Sequence, residues 1–140
     1  MWSETRTPYA ARASWVQPRF SMPLDAHDLA RLRDMVVWSR KAAAILGDCS
    51  FDELMGLEEK RLALVRCIEV IGEAGQKVSP VAKSALSAVP WPAMYGMRNR
   101  LIHDYGNTNY EVVYDVVTGD LPGLAAIIAD FLVQHGQDIS

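Results

Sequence analysis

From Asp25 onward, apolar residues recur at intervals of three and four, and no strand-length window alternates steadily between apolar and polar positions. Leu29, Leu32, Val36, Ala43 and Leu46 mark the buried face of a first long helix. Asp25 is its N-cap, Asp28 sits where a carboxylate favours the helix dipole, and Gly47 closes it. Ser50 and Glu53 have capping-box spacing and open a short turn. A second long helix runs from about Leu57 to Lys77, with Leu64, Ile68, Ile71, Gly75 and Val78 as its seam. Gly72 and Gly75 each cost about 1 kcal/mol against alanine in such a helix, which predicts a neighbouring backbone passing close by.

Ser79-Pro80 begins a short helix through about Ala88, and Pro90 with Pro92 turns the chain into another helix over Pro92 to Tyr105, stopped by Gly106-Asn107. Thr108 and Glu111 form a second capping-box pattern before the apolar side Tyr110, Val113, Tyr114 and Val117. Gly119-Asp120 interrupts this run. Pro122 then opens a final helix that packs Leu124, Ile127, Ile128, Phe131 and Leu132 inward. The pattern predicts an all-α up-and-down bundle of four to five main helices.

Half of the 140 residues are hydrophobic, enough to bury one core, so residues 25–136 are read as one domain and 137–140 as a C-terminal tail. Residues 1–24 are read as a flexible N-terminal extension, with Met22 as an alternative start. Their arginines interleave with Trp2, Trp15 and Phe20, a composition that also suits single-stranded nucleic acid. The net charge of −3 argues against binding nucleic acid by bulk electrostatics, so any such contact must be local. Cys49 and Cys67 lack metal or redox spacing and read as reduced, partly buried thiols of a cytoplasmic protein. His27, His103 and His135 are scattered, so no metal or cofactor is expected. No continuous apolar run reads as membrane-spanning, and no membrane partner is expected.

The densest chemistry lies in WPAMYGMRNRLIHDY, Trp91 to Tyr105. On a helical wheel Met94, Met97 and Leu101 share one face, with Arg98, Ile102 and Tyr105 on its border and His103 beside Asn99 and Arg100. Arg98 and His103 then point about 140° apart. Either the helix unwinds near Gly106, or a second copy of the chain supplies the missing group across a shared cleft. The second arrangement is expected, and with it a homodimer.

The segment Arg98-Asn99-Arg100-Leu101-Ile102-His103-Asp104-Tyr105 resembles the R-x4-H-x-Y motif of HepT-like proteins, toxin members of the HEPN superfamily. IGEAGQK at Ile71 to Lys77, the WPAMYGMRNRLIH lead-in and the later YEVVYDVVTGDLPGL run resemble the same family in the same order, over about residues 25 to 135. The resemblance implies a HEPN-like helical, dimeric endoribonuclease that needs no metal. It further implies the toxin component of a type VII toxin–antitoxin system, cutting tRNA or mRNA and partnered by a minimal nucleotidyltransferase (MNT) antitoxin. By position, Arg98 and His103 would act at the scissile phosphate, and the antitoxin would silence the toxin by attaching AMP to Tyr105. The N-terminal extension and the small Gly106 after Tyr105 depart from the family pattern.

The residue chemistry is compatible with that role. An imidazole at His103 titrates near neutral pH and can move protons, whereas Arg98 offers a permanent bidentate phosphate contact. Asn99 can orient the ring or the phosphate, Arg100 adds local positive charge, and Glu73 is a candidate ion-pair partner for either arginine. The alternative is a non-catalytic helical module that binds and regulates the nucleotidyltransferase, or binds nucleotide in the dimer cleft. The acidic charge favours that alternative.

Overall fold

A computed structural model describes residues 24–104 and 107–140, with the side chains of Arg98 and of residues 102–104 outside the description. The N-terminal extension, Tyr105 and Gly106 therefore lie outside the described residues. The chain folds as helices α1 (Ala26–Leu46), α2 (Phe51–Met55), α3 (Glu58–Gln76), α4 (Pro80–Ala85), α5 (Trp91–Leu101), α6 (Tyr110–Asp115) and α7 (Leu121–Gln134). A π-helical turn, Val116–Asp120, lies between α6 and α7. Strands β1 (Ile102–Asp104) and β2 (Asn107–Thr108) make one short antiparallel pair after α5. The architecture is all-α, as expected, and the paired strands add no layer.

The long helices form where short-range signals place them. Asp25 caps α1 by accepting from the His27 N–H at 2.7 Å, and Gly47 ends it with a positive φ of 56° that favours glycine. Ser50 and Glu53 make the reciprocal capping box of α2. The predicted α3 seam is buried throughout: Leu64, Ile68, Ile71, Gly75 and Val78 all face the core. α1 packs along both α3 and α7, and α3 packs along α5, so α1 and α3 hold the centre of the molecule. On α1 the inward small residue is Ala42, whereas Ala43 is exposed.

Several boundaries differ from the sequence expectation. The N-cap of α6 is Asn109, whose side chain accepts from the N–H groups of Glu111 and Val112, so Thr108 is not the cap. Gly119-Asp120 does not interrupt the helix. From Val113 to Leu132 the buried stripe Val113, Val117, Leu121, Leu124, Ile128 and Leu132, with Val116 buried beside it, advances by four, four, three, four and four, about one residue more than five ideal turns would take. The widened π-turn absorbs that residue, with the Leu121 N–H bonded to the Val116 carbonyl. Tyr110–Gln134 is thus one continuous helix of 25 residues, long and apolar enough to cross a membrane by length and composition, which corrects the expectation that no run reaches that length. Its inward residues Val113, Leu121, Ile128 and Leu132 are instead buried in the bundle core.

Asp28 is 5% exposed and does more than face the helix dipole. Its carboxylate accepts from the Ser79 N–H at 2.8 Å and the Ser79 hydroxyl at 2.5 Å, while Ser79 caps α4. This ties the first turn of α1 to the first turn of α4. At the other end, Arg33 donates to the Asp138 carbonyl, Arg40 to the Ile139 carbonyl, and Ile139 is buried. The last four residues therefore pack on α1.

Candidate functional site

The motif segment is built on the C-terminal half of α5. Trp91, Met94, Met97 and Leu101 are buried, which fixes the inward face of the helix as the wheel predicts. Trp91 anchors the first turn further, its indole N–H donating to the Leu86 carbonyl at 3.1 Å. Met94 also fills the space above Gly75: a Cβ there would overlap Met94 Cε and meet Met35 Cε at 3.5 Å. The close neighbour predicted for Gly75 exists, but it is a methionine side chain rather than a backbone. Among the described residues nothing lies within 4 Å of the Gly72 Cβ position, so no described neighbour explains it.

The helix stops at Leu101, four residues before the predicted end at Tyr105. Ile102–Asp104 is extended and pairs with Asn107–Thr108, in the register Ile102 with Thr108 and Asp104 with Asn107, with a bulge between. The Asn109 N–H donates to the Leu101 carbonyl at 2.6 Å and closes the segment at its base. β-Branched Ile102 and the backbone-competing Asp104 weaken a helix here, and the strand pairing offers their peptide groups partners that a frayed last turn lacks.

This ending changes the geometric premise. Arg98 sits on the helix and His103 on a strand, so the separation of about 140° expected for one continuous helix does not constrain them. The wheel argument for a second subunit therefore falls. Unwinding occurs, and it begins at Ile102 rather than near Gly106.

Asn99 and Arg100 are exposed on α5. Arg100 forms an ion pair with Asp120 of the π-turn at 3.6 Å, with both side chains more than half exposed. Glu73 is exposed on α3, and the described partner of Arg100 is Asp120 rather than Glu73. Pairing of Glu73 with Arg98 lies outside the described residues, as do the side chain of His103 and all of Tyr105. Among the described residues no group of His, Cys, Asp and Glu side chains is arranged to hold a metal ion.

Sequence reasoning missed the support behind this segment. Arg61 donates to the Leu54 and Met55 carbonyls at the end of α2, and its guanidinium lies over the Tyr110 ring at 5.1 Å. Arg61 belongs to a charged run, Glu58 to Arg61, that reads as a solvated face, so no sequence signal announced the contact.

The ribonuclease HepT-like family model matches residues 27–131. The Methanocaldococcus jannaschii protein named "Putative RNase MJ0127" is 36% identical over 75 residues, covering 54% of this chain and 62% of that protein. "Putative RNase MJ1380" from the same organism is 30% identical over 93 residues, covering 66% of this chain and 85% of that protein. "Probable ribonuclease HepT" of Thermococcus cleftensis is 31% identical over 74 residues, covering 53% of this chain and 67% of that protein. No solved structure matches the chain. With a helical bundle presenting the Arg98–His103 segment at the end of α5, and a family match that spans three quarters of the residues, the chain belongs to the ribonuclease HepT-like family.

Proposed function

We propose that this protein is a metal-independent endoribonuclease toxin of the cytoplasm, with Arg98 and His103 acting at one scissile phosphodiester. The observation that carries the reading is the end of α5 at Leu101, within a chain of the ribonuclease HepT-like family. It puts the arginine on a core-packed helix and the histidine on an adjoining extended segment, so a single helical wheel no longer fixes their separation.

In the proposed reaction His103 takes the proton of the ribose 2′-hydroxyl as its oxygen attacks phosphorus, the P–O5′ bond breaks to leave a 2′,3′-cyclic phosphate, and the departing 5′-oxygen takes a proton from solvent water. Arg98 neutralises the charge that grows on the non-bridging oxygens. Asn99, exposed on the same helix, orients the phosphate or the ring, and Arg100, exposed beside Asp120, can exchange that carboxylate for an RNA phosphate at short range. Local charge of this kind offsets the net −3 of the chain.

The control mechanism is part of the same proposal. Tyr105 follows His103 by two residues, and adenylate on its hydroxyl places a bulky anion beside both groups, where it competes with RNA. The partner supplying it is an MNT-type nucleotidyltransferase antitoxin, and the toxin itself assembles as a homodimer.

Incubation of the pure protein with total cellular RNA, beside Arg98→Ala and His103→Ala variants of matched thermal stability, tests the reading. Cleavage by the wild type that both variants lose is the expected result. Cleavage that persists in both removes these residues from the mechanism, and no cleavage by unmodified wild type favours the non-catalytic helical module. Co-expression with the nucleotidyltransferase is expected to add adenylate-sized mass steps that Tyr105→Phe abolishes.

A further inference from the structure

The paired strands Ile102–Asp104 and Asn107–Thr108 lie between two fixed points. One is Leu101, 1% exposed at the end of α5, and the other is Asn109, whose N–H donates to the Leu101 carbonyl. Asn109 caps α6, so the position of the strand pair depends on how firmly the first turn of α6 is held.

Two residues one turn apart on α6 reach towards α2. Tyr114 donates its hydroxyl to the Cys49 carbonyl at 3.3 Å and meets the Phe51 ring edge-on at 5.8 Å. Tyr110, the first residue of α6, instead lies beneath the Arg61 guanidinium. Arg61 is fixed from the other side, because its Nη1 donates to the last carbonyls of α2, Leu54 and Met55. Its Nε is buried with no hydrogen-bond partner among the described residues. A guanidinium that leaves a buried N–H unpaired is held by what its other atoms do, since the unpaired group opposes the placement.

We propose that Arg61 is a positioning residue for the segment that carries His103, acting through Tyr110 and the carbonyl end of α2. The catalytic consequence rests on the ribonuclease reading above, whereas the positioning itself does not. The role needs a planar cation: a flat guanidinium can face an aromatic ring while its edge donates to two carbonyls, and a lysine ammonium cannot do both. Removing the guanidinium leaves the α2 carbonyls and the Tyr110 ring without a common tie, so the first turn of α6 and the strand pair beside it loosen together.

Hydrogen exchange and cleavage kinetics on the full chain test this in parallel. Arg61→Leu is expected to speed exchange of the amides at 102–109 by about tenfold or more while the amides of central α1 and α3 keep their protection. Turnover on RNA is expected to fall by about tenfold with KM within about twofold, since substrate affinity is not what the segment's looseness removes. Tyr110→Leu should reproduce both effects, Arg61→Lys should recover only part, and Tyr110→Phe, which keeps the ring, should behave as wild type.

Unchanged exchange at 102–109 in Arg61→Leu overturns the proposal, and so does equal acceleration across α1 and α3, which marks a general loss of stability. Loosened 102–109 amides with wild-type turnover also overturn it. A wild-type protein that cuts no RNA defeats the ribonuclease reading instead, and exchange alone then decides whether Arg61 holds the segment.

Discussion

Asn109 caps α6 although the Thr108-x-x-Glu111 spacing favours its neighbour, because Thr108 is engaged in the strand pair with Ile102. Asn109→Ala should therefore cost about 1 kcal/mol, whereas Thr108→Ala should stay within about 0.5 kcal/mol. Urea titration of the two variants distinguishes them. The cysteines differ in a comparable way. Cys67 is 1% exposed and burial pushes its thiol up, against a smaller opposing effect of Lys41, so it stays protonated and shielded. Cys49 is only partly buried, and a thiol reagent at neutral pH should modify it well before Cys67, as peptide mass mapping over time would show. Glu53 carries a pH dependence. Hydrogen bonds from the Ser50 backbone and side chain hold its carboxyl below the usual range. A depressed folded-state value stabilises the fold above the unfolded-state range and loses that effect as acid protonates the folded group. Glu53→Gln should thus lower stability at neutral pH, and the gap from wild type should close on acidification below the ordinary carboxylate range.

At the scale of elements, the sequence was most legible where a signal acts within one turn. Asp25, the Ser50–Glu53 box and the α3 seam depend on neighbours two to four residues away, and each stands where it was expected. The end of α5 was not legible, because Ile102 and Tyr105 continue the apolar wheel past Leu101 while the competing strand partner, Asn107–Thr108, is a tertiary feature. The π-turn was hidden for a related reason: Gly119-Asp120 looks like a stop, yet the extra residue between Val113 and Leu132 needs a wider turn, not a break. The two glycines of α3 separate local cost from tertiary need. Gly72→Ala adds a Cβ into open space and should stabilise by about 0.5–1 kcal/mol through helix propensity. Gly75→Ala gains the same propensity but forces Met94 out of its place against the helix, a repacking that costs about 1–3 kcal/mol. Thermal unfolding should rank Gly72→Ala above wild type and Gly75→Ala below Gly72→Ala. Equal midpoints for the two variants would contradict the Met94 contact.

For the whole molecule, the helical class was readable from periodicity, and the family from the motif together with its flanking segments. How the motif residues face one another was not readable, because it depends on where α5 ends. The corrected ending also reopens the question of assembly. An Arg98→Ala subunit mixed with a His103→Ala subunit restores activity only if one site takes its arginine and histidine from different chains, and a site within one chain gains nothing from mixing. The helix end at Leu101 permits the single-chain site, so mixing is expected to restore no activity even though the protein is proposed to dimerise. The central claim, that Arg98 and His103 serve one phosphodiester, is tested most directly by the cleavage rate of a single defined RNA with wild type, each alanine variant and the double variant. Groups that act as a unit are non-additive, so each single change should cost about a hundredfold or more and the double should be little worse than the poorer single. A rate near wild type in either single variant, or losses that simply multiply in the double, would contradict it.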